Sequence, residues 1–236
     1  MSIKYHMMKH ILVTGATGNL GKAVTIRFLE EGHRVTALIS HRHDPGFMKH
    51  DRLRVLQADL EKEKEAEQAI SQAVDGKMAL DMGVLTVGGF AMGRLPDTTD
   101  KELEKMYRLN FLTAYHTARP LFGHMTAKGN GGQIVFIGAR PGNTPGAASG
   151  MVAYSLSKSL IFKLAEIINV EGKEKKITAS VIVPSIIDTP QNREALPDAN
   201  FSDWVTPEEI AANMVHLITP AGRQLRKVVL NIYGNS

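Results

Sequence analysis

HILVTGATGNLGKAVTIRFLEEG, residues 10 to 32, passes from a short run of branched apolar residues into an amphipathic helical pattern through glycines at 15, 18 and 21. A strand is expected over Ile11 to Thr14, then a tight turn, then a helix from Gly21 to Glu31 with apolar positions Val24, Ile26, Phe28 and Leu29. Gly32 suits a left-handed helix end. Where a strand feeds a helix in this way, the missing glycine side chains let backbone N–H groups and the positive helix N-terminus approach a phosphate. Gly15, Thr17, Gly18, Asn19, Leu20 and Gly21 are therefore expected to hold the pyrophosphate of a dinucleotide.

The same alternation continues along the chain. Further strands are expected over Arg34 to Ile39, Leu53 to Gln57, Val84 to Val87, Gln133 to Ile137, Thr178 to Val183 and Lys227 to Ile232. Between them lie helical patterns over Lys62 to Val74, Asp100 to Thr117 and Val152 to Glu171. Thr206 and Glu209 form a capping box with Pro207 in the first turn, so a last helix runs through Ile210, Met214 and Leu217. Strands that alternate with helices predict an α/β fold, a single doubly wound domain with a seven-stranded parallel sheet covered on both faces. Residues 1–236 are read as one such domain, with 1–9 as an N-terminal extension. Two stretches lack a period, Gly138 to Ser149 and Asp188 to Val205. Both follow strands on the carboxyl edge, where ligands bind in this architecture, and 188–205 is expected to be a substrate loop.

Composition narrows the classes of function. The chain has no cysteine, which rules out thiolate metal sites and a cysteine nucleophile, and no metal is expected. No run approaches the ~18 apolar residues of a membrane span, and the first residues contain no apolar signal core, so a cytoplasmic protein without membrane association is expected. The net charge is +4, but the 28 basic residues are interleaved with 24 acidic ones, which reads as a solvated surface and not as a nucleic-acid interface.

The second strand bears on the choice of cofactor. NAD sites place a carboxylate at its tip for the ribose hydroxyls, whereas basic or small polar groups receive the 2′-phosphate of NADP. Here the tip reads Ser40, His41 and Arg42, which points to NADP, while Asp44 keeps NAD possible. Asp59 and Leu60 follow the third strand, where the carboxylate can accept from the adenine amino group.

With these motifs in order, the chain resembles the short-chain dehydrogenase/reductase family from end to end. TGATGNLG is similar to the family's nucleotide loop, ADL at 58–60 to its adenine contact, Asn110 to the helix asparagine of its catalytic tetrad, and Tyr154 with Lys158 in YSLSK to its YxxxK pair. VIVPSIIDTP resembles the segment in which Pro184, Ile187 and Thr189 would border the nicotinamide. The resemblance also implies a homo-oligomer, a tetramer or dimer, built on the Asp100 and Val152 helices; their Phe111, Tyr115, Ile161 and Phe162 equally suit packing against the sheet. A second YxxxK, Tyr5 with Lys9, precedes the first strand and has no site around it.

Two departures stand out. The asparagine-rich turn after the fourth strand is replaced by Leu85, Thr86, Val87 and Gly88, and Val87, Gly88 and Gly89 are expected to line the cofactor. The strand that ends in the family's catalytic serine carries Gly138 and Ala139 instead, and Ser149 is not expected to take over that role. VGGFAMG, GAASGMVAYSLSK and DTPQNREALPDANFSDW look most similar to dihydropteridine reductases, which also lack that serine.

Tyr154 and Lys158 are i and i+4, so both emerge on one helix face. The ammonium is expected to lower the phenol's pKa and Tyr154 to give a proton to substrate as hydride arrives. Lys158 would also hold the nicotinamide ribose, and Asn110 would tie a relay water to it. The substrate is expected to be a small organic carbonyl or a pteridine-like C=N compound, which needs less polarisation than a ketone. The competing reading is a cofactor-binding regulator that has lost catalysis; retention of Asn110, Tyr154 and Lys158 together argues against it.

Overall fold

The computed structural model describes residues 7–44, 46, 48–74 and 78–235; Tyr5 and most of the expected N-terminal extension lie outside them. The elements follow in the order β1 (His10–Thr14), α1 (Asn19–Glu30), β2 (Arg34–Ile39), β3 (Leu53–Gln57), α2 (Glu63–Ala73), β4 (Met82–Leu85) and α3 (Asp100–Met106). A π-helical segment, Tyr107–Leu112, leads into α4 (Thr113–Lys128), then come β5 (Gly132–Ile137), α5 (Arg140–Asn143), α6 (Val152–Glu171) and β6 (Ile177–Pro184). The chain ends with α7 (Pro190–Ala195), α8 (Pro207–Ile218) and β7 (Val229–Ile232).

All seven strands are parallel, in the order β3-β2-β1-β4-β5-β6-β7. The chain reverses its winding between β1 and β4, which opens a crevice at their carboxyl ends. Both faces of the sheet are buried. Leu12, Ile134, Phe136 and Val181 pack under α2, α4 and α6, while Ile11, Val13, Val84 and Ile182 pack under α1 and α8. This is the doubly wound fold that the alternating apolar runs predict.

The differences from expectation are local and have causes. β4 ends at Leu85 and not at Val87, because Thr86 turns to bond β1: its N–H donates to Thr14 Oγ1 at 3.0 Å and its hydroxyl donates to the Thr14 carbonyl at 2.6 Å. β7 starts at Val229, since Lys227 has φ 55°, a left-handed conformation that a strand cannot contain. Ile26, assigned to the buried stripe of α1, is 38% exposed, and Ala23 joins Val24, Phe28 and Leu29 in its place. The helix expected over Asp100 to Thr117 is broken by the π segment and runs on to Lys128, where Gly129 closes it at φ 69°. Thr99 and Glu102 cap its start reciprocally. The two stretches without a period hold the short helices α5 and α7, each opened by a proline in its first turn.

Candidate active site

The glycine turn is built as a cradle. Gly15 has φ +61°, and a Cβ there would lie 3.0 Å from Thr86 Oγ1. A Cβ on Gly21 would lie 2.2 Å from the Gly15 carbonyl oxygen, so neither position accepts a side chain without reshaping the loop. Gly18, the N-cap of α1, offers no side-chain cap. The first N–H groups of this 12-residue helix are left for an anion. These residues fit the diphosphate of a dinucleotide.

From the cradle a cleft of about 670 Å³ runs along the carboxyl ends of β1, β2 and β3. Among the expected cofactor residues, Gly15, Thr17, Gly18, Ser40, His41, Arg42, Asp59, Leu60, Val87 and Gly88 line it. At the far end Ser40 Oγ is 2.8 Å from His43 Nδ1, and His41 Nε2 is 2.8 Å from Glu65 Oε2. Glu65 also takes the Asp59 N–H at 2.8 Å and Lys62 Nζ at 3.0 Å. The Asp59 amide, His41 and Lys62 together hold its carboxyl down at about 2. Arg42 lines the cleft with no ion pair among the described residues.

Lys62, Thr86, Arg108 and Thr113 also line the cleft and were not expected to. Arg108 and Thr113 come from the π segment and the start of α4, whose break in helical phase gives no apolar signature. Thr86 carries a signal that was readable: a hydroxyl residue immediately after a strand, opposite the Thr14 that closes the neighbouring one.

The tetrad-like residues adjoin this cleft through Gly88. A Cβ on Gly88 would lie 2.7 Å from Asn110 Oδ1 and 3.2 Å from Lys158 Nζ, so one bare backbone position separates the cleft from both side chains. Asn110, buried in the π segment, accepts the Gly89 N–H at 2.8 Å and donates to the Gly89 carbonyl at 3.1 Å and to Ser157 Oγ at 3.0 Å. Its side chain is thus committed to clamping the loop and tying it to α6.

Tyr154 and Lys158 share a face of α6, but the expected depression of the phenol does not appear. Lys158 is buried and its Nζ donates to the Ile137 carbonyl at 2.9 Å. Desolvation pulls its pKa from 10.5 down to about 8 and pushes Tyr154 from 10.0 up to about 12. Burial without a compensating anion disfavours both charged forms. The Tyr154 ring meets Phe90 edge-on at 5.0 Å between centroids.

The position of the missing serine is also resolved. A Cβ on Gly138 would lie 2.6 Å from Val181 Cγ1 and 2.9 Å from the Phe162 ring, so no hydroxyl fits there. Ala139, buried and extended at φ −156°, already carries a Cβ. Ser149 is exposed.

Around the other mouth of the site, Pro184 ends β6, Ile187 pairs with Val205, and the Thr189 hydroxyl accepts the Asn192 N–H at 3.2 Å to cap α7. Asn19 Nδ2 donates to Gln191 Oε1 at 2.8 Å, which joins the glycine turn to the loop after β6. Asn19, Leu20, Gly21, Gly89, Pro184, Ile187 and Thr189 do not line the 670 Å³ cleft itself. Among the described residues no cluster of three metal-ligating side chains occurs, and no helix is long and apolar enough to cross a membrane.

Comparison with known proteins agrees with this geometry. Residues 9–200 match the short chain dehydrogenase family model. The chain is 26% identical to a 3-oxoacyl-(acyl-carrier-protein) reductase of Aggregatibacter actinomycetemcomitans, over 97% of this chain and 99% of that one. It is 29% identical to a dihydropteridine reductase of Dictyostelium discoideum, over 88% and 87%. Its fold superposes on an oxidoreductase from Burkholderia thailandensis with a TM-score of 0.84 at 24% identity, covering 96% of this chain and 92% of that one. A blue fluorescent protein from a metagenomic library, solved in complex with NADPH, gives 0.83 at 23% identity and covers 96% and 97%. A glycine cradle at the switch point of a parallel sheet, with a tyrosine and lysine on one helix face beside it, thus belongs to a nicotinamide-dependent oxidoreductase, and the chain is a member of the short-chain dehydrogenase family.

Proposed function

We propose that the protein is an NADPH-preferring reductase of a small organic substrate, with Tyr154 as proton donor and a pteridine-like C=N compound as the substrate class. The observation that carries the reading is the meeting of Lys158, Asn110 and Gly88 at the inner end of the dinucleotide cleft, beside a strand end that holds Ala139 in place of a hydroxyl. The dihydropteridine reductase relative supports the substrate class, and Arg42, unpaired at the 2′-phosphate end, supports the choice of NADPH.

The cofactor supplies the hydride. Tyr154, held protonated by burial, donates its hydroxyl proton to the substrate nitrogen or oxygen as the adjacent carbon is reduced, and solvent returns the proton. Lys158 would hold the ribose hydroxyls of the cofactor, and its charge would stabilise the negative oxygen that develops as Tyr154 gives up its proton. Asn110 fixes Gly88 and Gly89 so that the backbone beside Lys158 stays close to the cofactor. Removing a donor of the serine type lowers the rate of such reactions by about 10² to 10³, so a site without one suits a substrate with a more basic acceptor atom. Steady-state oxidation of NADPH against a panel of ketones, imines and quinonoid pterins tests this reading. Turnover concentrated on the C=N compounds supports it, and turnover of ketones alone contradicts it.

Self-association through α4 and α6 belongs to the same proposal. Phe111, Ile161 and Phe162 pack on the core, but Tyr107, Leu156, Leu160 and Ile167 leave apolar surface exposed along one side. Light scattering on the purified chain should give a dimer or tetramer mass; a monomer at micromolar concentration overturns this part.

A further inference from the structure

Phe90 is 59% exposed, an unusual position for a phenyl ring that already touches Tyr154. Its exposure is not looseness, because the loop that carries it is pinned on both sides. Before it, Gly89 exchanges two hydrogen bonds with Asn110. After it, the Gly93 N–H donates to the Gly150 carbonyl at 2.8 Å, and the Gly93 carbonyl accepts the Val152 N–H at 3.0 Å, which stitches the loop to the start of α6. Gly89 is closely approached as well, since a Cβ there would lie 2.5 Å from the tip of the Leu109 side chain. The ring is therefore presented at a fixed height beside the phenol, inclined to it by 74°, with Met92, 66% exposed, two residues further on.

Burying a phenyl ring is favourable relative to leaving it in water, so a rigid loop that holds one exposed leaves that burial for a ligand to complete. One side of the Phe90 ring meets Tyr154, and what remains exposed suits an aromatic partner, because offset stacking adds to area burial. Nothing in this loop offers a charged or hydrogen-bonding side chain beside the ring; Gly88, Gly89, Ala91, Met92 and Gly93 carry none.

We propose that Phe90 is the shelf on which the substrate lies, and that it selects planar conjugated rings over saturated or open-chain carbonyl compounds. This inference rests on the reading of Tyr154 as the reacting proton donor, and it deepens the substrate class given above by naming the residue that discriminates. Phe90 acts by stacking and positioning, while the proton still comes from Tyr154.

The test uses biopterin and menadione, two planar probes, titrated onto the full-length protein saturated with NADP⁺, with binding read by fluorescence quenching. Phe90→Ala should weaken both by about fivefold to tenfold, the loss expected for one aromatic contact. Phe90→Trp should restore binding to within about twofold of the original, and NADP⁺ affinity and melting temperature should stay unchanged in both variants. Tyr154→Phe should bind the probes like the unmodified protein, so a failed proton-donor assignment shows in turnover and a failed shelf shows in binding. Unchanged probe affinity in Phe90→Ala overturns the proposal. So does failure of the unmodified protein to bind either probe, or an equal loss of turnover of planar and open-chain substrates.

Discussion

Lys158 Nζ donates to the Ile137 carbonyl oxygen at 2.9 Å, and this single bond is what the structure gives a fully buried ammonium. A backbone carbonyl is a dipole and not a charge, so it satisfies one of three donors and leaves desolvation dominant. The lysine is therefore held at a penalty that only a bound ligand relieves.

The first consequence concerns stability. A lysine whose folded pKa lies near 8 and whose unfolded value is 10.5 favours the unfolded state, which binds the extra proton between those values. Stability should rise as pH climbs from about 8 toward 10.5, and the full penalty should stand below pH 8. Lys158→Met should thus stabilise the unliganded fold at pH 7 by on the order of 2 kcal/mol, even after the bond to Ile137 is lost, while abolishing turnover. Chemical denaturation of both proteins at pH 7 checks it; a destabilised methionine variant contradicts the buried-charge account.

The same group should shape the pH profile. For reduction, kcat/KM reports the free enzyme, in which Tyr154 stays protonated up to about 12 and supplies no falling limb at moderate pH. The falling limb should instead lie near pH 8, where Lys158 loses its charge. Lys158→Arg should move that limb above pH 10 if it retains measurable activity, because a guanidinium does not titrate there. A limb that stays near 8 in the arginine variant assigns it to another group.

Cofactor choice rests on the far end of the cleft. Titration with both cofactors should show tighter binding of NADPH, and Arg42→Ala should remove about 1 to 2 kcal/mol of that preference, typical of a charge-assisted contact. NADH binding should hardly change. Equal or tighter NADH binding by the unmodified protein sinks the NADPH assignment.

Ala139 and Gly138 make a paired test of the missing hydroxyl. Ala139→Ser adds one oxygen to an existing Cβ and should fold normally, with little gain in ketone reduction if the site is built for C=N substrates. Gly138→Ser should destabilise by several kcal/mol, because its Cβ collides with Val181 and Phe162. A large rise in ketone reduction for Ala139→Ser, approaching about a hundredfold, would mean a ketone enzyme that lost its donor.

Much of this architecture is legible in the chain, because buried parallel strands need runs such as ILV and VTALI that stand apart from the polar helices between them. The cradle is legible for a related reason: glycine takes φ +61° at Gly15 without the strain a side chain brings, and the 2.2 Å approach at Gly21 leaves no space for a Cβ. What the sequence hides is set by contacts across the fold. The π segment around Asn110 leaves no period, and Arg108 and Thr113 reach the cleft only because of it. Tyr154 and Lys158 are readable as a pair, but their charges depend on desolvation, which no spacing encodes; helical spacing suggests a depressed phenol and burial gives a raised one.

The central claim is that Tyr154 donates the proton in an NADPH-driven reduction. NADPH oxidation by the unmodified protein and by Tyr154→Phe, each given a quinonoid dihydropterin and an open-chain ketone, tests it most directly, with NADPH affinity measured alongside. The account predicts turnover of the pterin by the unmodified protein, at least about 10²-fold less by the phenylalanine variant, in the range general acid catalysis supplies, and nearly equal NADPH affinity in the two. Retention of most activity by Tyr154→Phe contradicts the proton-donor role, and tight NADPH binding with no turnover of any substrate in the panel points instead to a cofactor-binding regulator.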